Sequence, residues 1–231
     1  MYELSDIQRI VVWALPVLFA ITVHEVSHGW VAKQLGDPTA MMLGRLTLNP
    51  IKHIDPIGTV ILPLFMMWAG GVVFGWAKPV PVTWENLRHP KRDMALVAIA
   101  GPVSNLLMAI LWAIILKICL LFGANPDSYW LIQPLIFMSG AGIYINAILM
   151  VLNLFPLPPL DGGRVMTGLL PGPMAYKFSR IEPYGLIVLI VMLFTGLLAA
   201  IIFPAIKVFV VALSYLFNFM PVMKYLFPYL F

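Results

Sequence analysis

This chain is short of charge. Of its 231 residues, 10% are Asp, Glu, Lys or Arg, against about 25% in an ordinary soluble domain. It has one cysteine, Cys119, so an intrachain disulfide is excluded, and its apolar setting, "LKICLLFG", makes it a packing residue rather than a redox group. No polar stretch is long enough for a separate soluble domain, and no internal repeat or low-complexity linker is visible. The opening "MYELSDIQRI" lacks the basic start of a secretory signal, carrying only Arg9. The apolar run behind it leads into polar residues rather than a small-residue cleavage site, which predicts a retained membrane helix.

What is present is hydrophobic surface. Hydrophobic residues make up 61% of the chain and the mean hydropathy is +0.95. No water-soluble core needs so much, so the class is an all-α polytopic membrane protein, read as a single domain over 1–231. Spanning takes about 20 apolar residues. Long runs occur near 7–34, 94–122, 130–155, 184–203 and 207–225, which predicts five to six transmembrane helices: a core over 7–170 and accessory helices over 184–231.

The run 57–76 is ambiguous, because Pro63 and the pair Gly70–Gly71 weaken a continuous helix. Lys33, Arg45, Lys52, Lys78, Arg88, Lys91 and Arg92 flank it on both sides. If it crossed, basic loops would lie on both faces of the membrane. If it dips in and returns, all seven share one face with Arg164, Lys177 and Arg180, and the loop over 123–130, with Asp127 and no basic residue, lies opposite. Basic loops are cytoplasmic. The expectation is therefore a re-entrant or β-containing segment between the first and second core helices, an extracytoplasmic N-terminus and a cytoplasmic C-terminus.

Within the first apolar run stands "TVHEVSHGW". His24 and His28 are four apart, so on a helix they share a face and can share a metal, with Glu25 able to reach a water on it. Three ionisable groups in a membrane helix are costly, at about 2.5 to 3.5 kcal/mol for a central charge, and such residues are by default functional. The expected helix end is Gly36–Asp37, which puts His28 roughly 10 Å below that end at about 1.5 Å per residue. A catalytic zinc needs a third protein ligand. His53 and His89 lie in polar loops beside basic residues and read as interfacial. Asp161 in "NLFPLPPLDGG" follows a long apolar run broken by Pro156, Pro158 and Pro159. That turn can present one carboxylate at membrane depth, although an Asp there can also cap the next helix.

"HEVSH" together with "NLFPLPPLDGG" resembles the site-2 protease family of intramembrane zinc metalloproteases. "GPVSN" at 101–105 is similar to that family's third core-helix motif, and "GRLTLNPIKHIDPIGT" and "FGWAKPVPV" to its connecting segment. The similarity covers about 15–170, with Ser27 where many members have Gly, and without a PDZ or CBS domain, as in the compact branch. The resemblance implies Zn2+ held by His24, His28 and Asp161, with Glu25 as general base and acid. It implies that Asn153 holds substrate or stabilises an oxyanion, and it matches Asn105 to an Asn of less defined role, with an interhelical hydrogen bond as the alternative for both. In "WAKPVPVTW", Val80 and Val82 alternate with prolines, which suits an edge strand that pairs with unwound substrate, or a proline-rich interfacial loop. The expected partners are the lipid bilayer and a membrane-anchored protein substrate, not nucleic acid, with the site near the cytosolic face. The rival readings are a metal transporter using the same His/Asp set and a catalytically idle membrane scaffold.

Overall fold

The computed structural model describes residues 6–68, 75–122 and 129–223. Helix α1 (Asp6–Gln34) leads through the short α2 (Thr39–Met42), a 3-10 turn (Pro50–His53) and a π-helical turn (Pro56–Ile61) into α3 (Leu62–Trp68). An extended stretch from 75 and a 3-10 turn (Trp84–Asn86) precede α4 (Pro90–Phe122). Then come α5 (Tyr129–Asn153), α6 (Asp161–Leu169), α7 (Gly172–Ser179), α8 (Glu182–Phe194) and α9 (Leu197–Leu216). No strand occurs among the described residues.

Helix α4 is the hub, packing against α1, α5 and α6. Its inner face and that of α5 bury Trp112, Leu116, Phe137 and Ile143, and α9 closes this core with Ile206 and Leu213. The outer faces stay apolar: Leu107, Leu111 and Leu121 on α4 and Ile7, Ile10 and Val11 on α1 are exposed. Helices apolar on every side are buried or face lipid. α1, α4, α5 and α9 are long and apolar enough to cross a membrane, and the chain is an integral membrane protein.

The C-terminal third departs from expectation. The predicted runs 184–203 and 207–225 are divided instead at Gly196, which takes a left-handed conformation (φ 76°) that a side chain would disfavour. Pro204, at the predicted boundary, lies inside α9. That is tolerable where neighbouring helices re-satisfy the freed backbone group. The resulting α8 has 13 residues, about 20 Å of helix against a hydrocarbon core of about 30 Å. Four helices of spanning length, rather than five to six, are present among the described residues.

Part of the ambiguous run, 69–74, lies outside the described residues, as do Asp127 and residues 224–225. On either side of that gap the chain is tied together. The Trp76 amide donates to the Gly58 carbonyl (3.1 Å), the Lys78 amide to the His53 carbonyl (2.9 Å), and the Thr59 hydroxyl to the Trp76 carbonyl (2.8 Å).

Candidate active site

Helix periodicity brings His24 and His28 to the face of α1 that meets α4, and the proline-rich turn after α5 delivers Asp161 to the same point as the first residue of α6. The two Nε2 atoms are 3.1 Å apart. Asp161 Oδ2 lies 3.2 Å from Nε2 of His24 and 3.3 Å from that of His28.

The other ring nitrogens decide the tautomers. His28 Nδ1 is 2.7 Å from the Val97 carbonyl, which can only accept, so it carries the proton. For His24 the assignment runs back through a chain of amides. Asn146 Nδ2 donates to the Gly142 carbonyl, which leaves its Oδ1 to accept from Asn105 Nδ2 at 2.9 Å. Asn105 Oδ1 then accepts from His24 Nδ1 at 2.7 Å. Both Nε2 atoms are left with bare lone pairs facing a carboxylate oxygen that is buried without a hydrogen-bond donor.

Such a cluster of electron-rich atoms fits a cation. Tetrahedral ligands at about 2.0–2.1 Å from zinc are about 3.3 Å from one another, close to the spacing of these three. Among the described residues this is the group of His, Cys, Asp and Glu that could hold a metal.

Glu25 is one residue from the cluster and lines the same cavity, of about 310 Å³. Its Oε2 accepts from the Val80 amide at 2.7 Å. Asn153, Val80 and Val82 also line that cavity, and Asn153 Nδ2 donates to the Leu149 carbonyl at 3.0 Å. Asn105, matched above to an Asn of less defined role, is fully buried behind His24, so its place is that of a partner to the histidine. Val80 and Val82 lie in an extended segment, not a strand. His53 is buried, with Nε2 2.9 Å from the Thr47 carbonyl, and the His89 amide donates to Asp93.

Three residues were missed by sequence reasoning. A β-carbon at Gly101 would come within 2.5 Å of His24 Cε1 and His28 Nε2, so only glycine lets α4 pass so near the imidazoles; its signal was the "GPVSN" motif itself. Asp37 read as a helix end, yet it is fully buried and accepts from the Thr83 amide (2.7 Å), Asn86 Nδ2 (3.0 Å), the Thr39 amide (3.1 Å) and the Thr39 hydroxyl. Arg164 was counted only as a basic-face charge and lines the cavity.

Comparison with known proteins bears on this geometry. The chain is 38% identical over 203 residues, 88% of either chain, to "Putative zinc metalloprotease YwhC" of Bacillus subtilis. The chain belongs to the site-2 protease-like family of zinc metalloproteases. It is also 29% identical over 77% of its length, and 64% of the relative's, to "Putative zinc metalloprotease Rip2" of Mycolicibacterium smegmatis. To "Zinc metalloprotease MJ0392" of Methanocaldococcus jannaschii it is 25% identical over 85% of its length and 47% of the relative's. No family model and no solved structure matches it. Zinc is the cofactor of this metalloprotease, and the convergent donor set is of the kind that holds it.

Proposed function

We propose that the chain is an intramembrane protease, cutting peptide bonds within or near the transmembrane segment of a membrane-anchored protein. The observation that carries this is the convergence of His24, His28 and Asp161 next to Glu25 in a cavity walled by helices of spanning length. His24, His28 and Asp161 would hold the zinc, which when bound would supply Lewis-acid polarisation of the scissile carbonyl and ease deprotonation of the attacking water. Glu25 takes the attacking water's proton and returns it to the leaving amine. Asn105 and the Val97 carbonyl hold the two imidazoles in the tautomer that leaves Nε2 free. Asn153, whose Nδ2 is turned to its own helix, offers its Oδ1 to the substrate.

A helical substrate must unwind before its carbonyl is reachable. The segment over 80–82 offers an edge for the unwound strand. In an extended chain the N–H and C=O of Val80 and Val82 point to one side; Val80 directs its N–H at Glu25, so that side faces the site. Pro79 and Pro81, which lack a donor, fall on the other.

The run 57–76 dips into the membrane and returns, leaving the site near the cytosolic face. Supporting this are the hydrogen bonds that tie Gly58 and Thr59 to Trp76, and His53 to Lys78, at its two ends. Cysteines placed at Thr47 and at Asn86 should then label from the same side in sealed vesicles; labelling from opposite sides rejects the re-entrant arrangement.

The test of the reaction is Glu25→Gln. It keeps the shape and the three metal donors but removes the base, which costs about 10² to 10⁴ in rate. Cleavage of a transmembrane-helix substrate in detergent should fall to near background while zinc stays near one per chain. Wild-type cleavage by the zinc-loaded variant rejects Glu25 as the base.

A further inference from the structure

Arg164 takes no part in the chemistry above, and its surroundings single it out. It follows Asp161 by one turn of α6 and is the one lysine or arginine among the described residues that line the cavity. Its guanidinium lies over the Trp84 ring, 5.2 Å from the centroid, a contact that uses none of its donors. Its NH2 group is 3.8 Å from Glu182 Oε1, too far for a hydrogen bond, and it makes none with any described residue. The Glu182 pairing is half-exposed on both sides, a class of ion pair worth little. A planar fork of donors therefore stands unspent in the cavity, with a weakly held carboxylate beside it.

The cavity's layout says what would use it. Val80, Val82 and Trp84 of the extended segment line the cavity together with Asn153, Asp161 and Arg164, and Arg164 lies against Trp84. A substrate strand paired with 80–82 projects alternate side chains above and below the plane of pairing, and the set on the α6 side meets Arg164. Residues three apart on a helix are about 5–6 Å apart, and a strand advances about 3.3 Å per residue. Arg164 thus meets the substrate about two residues from the bond held at Asp161.

Resting on the protease reading, we propose that Arg164 is a specificity-determining residue that selects substrates with an acidic side chain about two residues from the scissile bond. The incoming carboxylate takes the guanidinium in paired hydrogen bonds, displacing Glu182. Trp84, covering one face of the guanidinium, shields such a pair from water on that side.

The experiment uses the full-length, zinc-loaded protein in detergent and a transmembrane-helix substrate whose cleavage site has been mapped. Asp, Asn or Lys is placed at each of the three positions on either side of that site. At one position, Asp should exceed Lys in kcat/KM by about 10- to 100-fold, the range for a hydrogen bond to a charged group. Arg164→Glu should reverse the preference to Lys at that position, and Glu182→Gln should lower KM for the Asp substrate. Zinc content reports whether each variant keeps its site; if Arg164→Glu loses zinc, Arg164→Gln is read instead and should abolish the preference. Equal cleavage of Asp and Lys substrates at every position overturns the proposal, as does an acid preference that survives Arg164→Glu or, where that variant is unusable, Arg164→Gln. Failure to cleave any substrate rejects the protease reading and this inference with it, whereas cleavage blind to charge rejects this inference alone.

Discussion

The two walls of the cavity are built differently. On one side, α1, α4 and α6 deliver His24, His28 and Asp161 from rigid helices, and every orienting bond ends on a buried amide or backbone carbonyl. On the other, the chain over 75–86 pairs with no strand among the described residues and is pinned at a few points. Arg45 donates to the Lys78 and Pro79 carbonyls, Glu25 accepts from Val80, and Asp37 accepts from Thr83 and Asn86. The lesson is a division of labour. Metal chemistry tolerates little displacement and sits on the packed wall; the wall that must admit an unwound strand is held at a few points only.

If that contrast is right, damage to the helical wall should abolish the metal, and damage to the extended wall should weaken substrate binding. The largest effect is expected from Asp161→Ala, which removes a ligand: zinc should fall from near one per chain to a small fraction, and cleavage with it. Full zinc occupancy in this variant would take Asp161 out of the ligand set. Next comes Asn105→Ala. Loss of a group that orients a ligating histidine costs about 10- to 100-fold in metal affinity or activity, so zinc titration should show weaker binding while the helical content by circular dichroism is retained. An unchanged affinity would reduce Asn105 to a packing residue.

A smaller effect, on the other wall, is expected from Asp37→Ala. The Thr83 amide and Asn86 Nδ2 lose their acceptor, at about 1 kcal/mol per bond. KM should rise by up to about tenfold with kcat and zinc content little changed. A fall in kcat at constant KM would contradict the division between walls. The smallest effect is one of pH. Burial raises the Asp37 pKa, but its hydrogen bonds from Thr39, Asn86 and Thr83 outweigh this and hold the carboxyl below its ordinary value. A group depressed in the folded state stabilises above its unfolded pKa, about 3.9 for Asp, and that stability is lost as pH falls through the folded value. Protease protection of the 75–86 segment should therefore be flat from neutral pH down to about pH 4 and decline only below it. Loss of protection between pH 7 and 5 would assign the clamp to another group.

Sequence alone determined the membrane class, the spans of α1, α4 and α5, and the presence of His24, Glu25 and His28 on one helix. Those are local matters: apolar run length, proline and glycine punctuation, and the four-residue spacing that any α-helix converts into a shared face. Tertiary structure decided the rest. Whether Asp161 met the histidines depended on how the turn after α5 folds back, and the proton positions on the imidazoles depended on Asn105, Asn146 and the Val97 carbonyl, which lie on helices more than 60 residues away in the chain. The division of the last apolar stretch turned on one left-handed glycine, Gly196, rather than on the more conspicuous Pro204, because packed neighbours can absorb a proline inside a membrane helix. Gly101 sits in a visible motif, but its role, like those of Asp37 and Arg164, comes from what lies against it across the fold, and contacts between distant segments leave no periodicity in the chain.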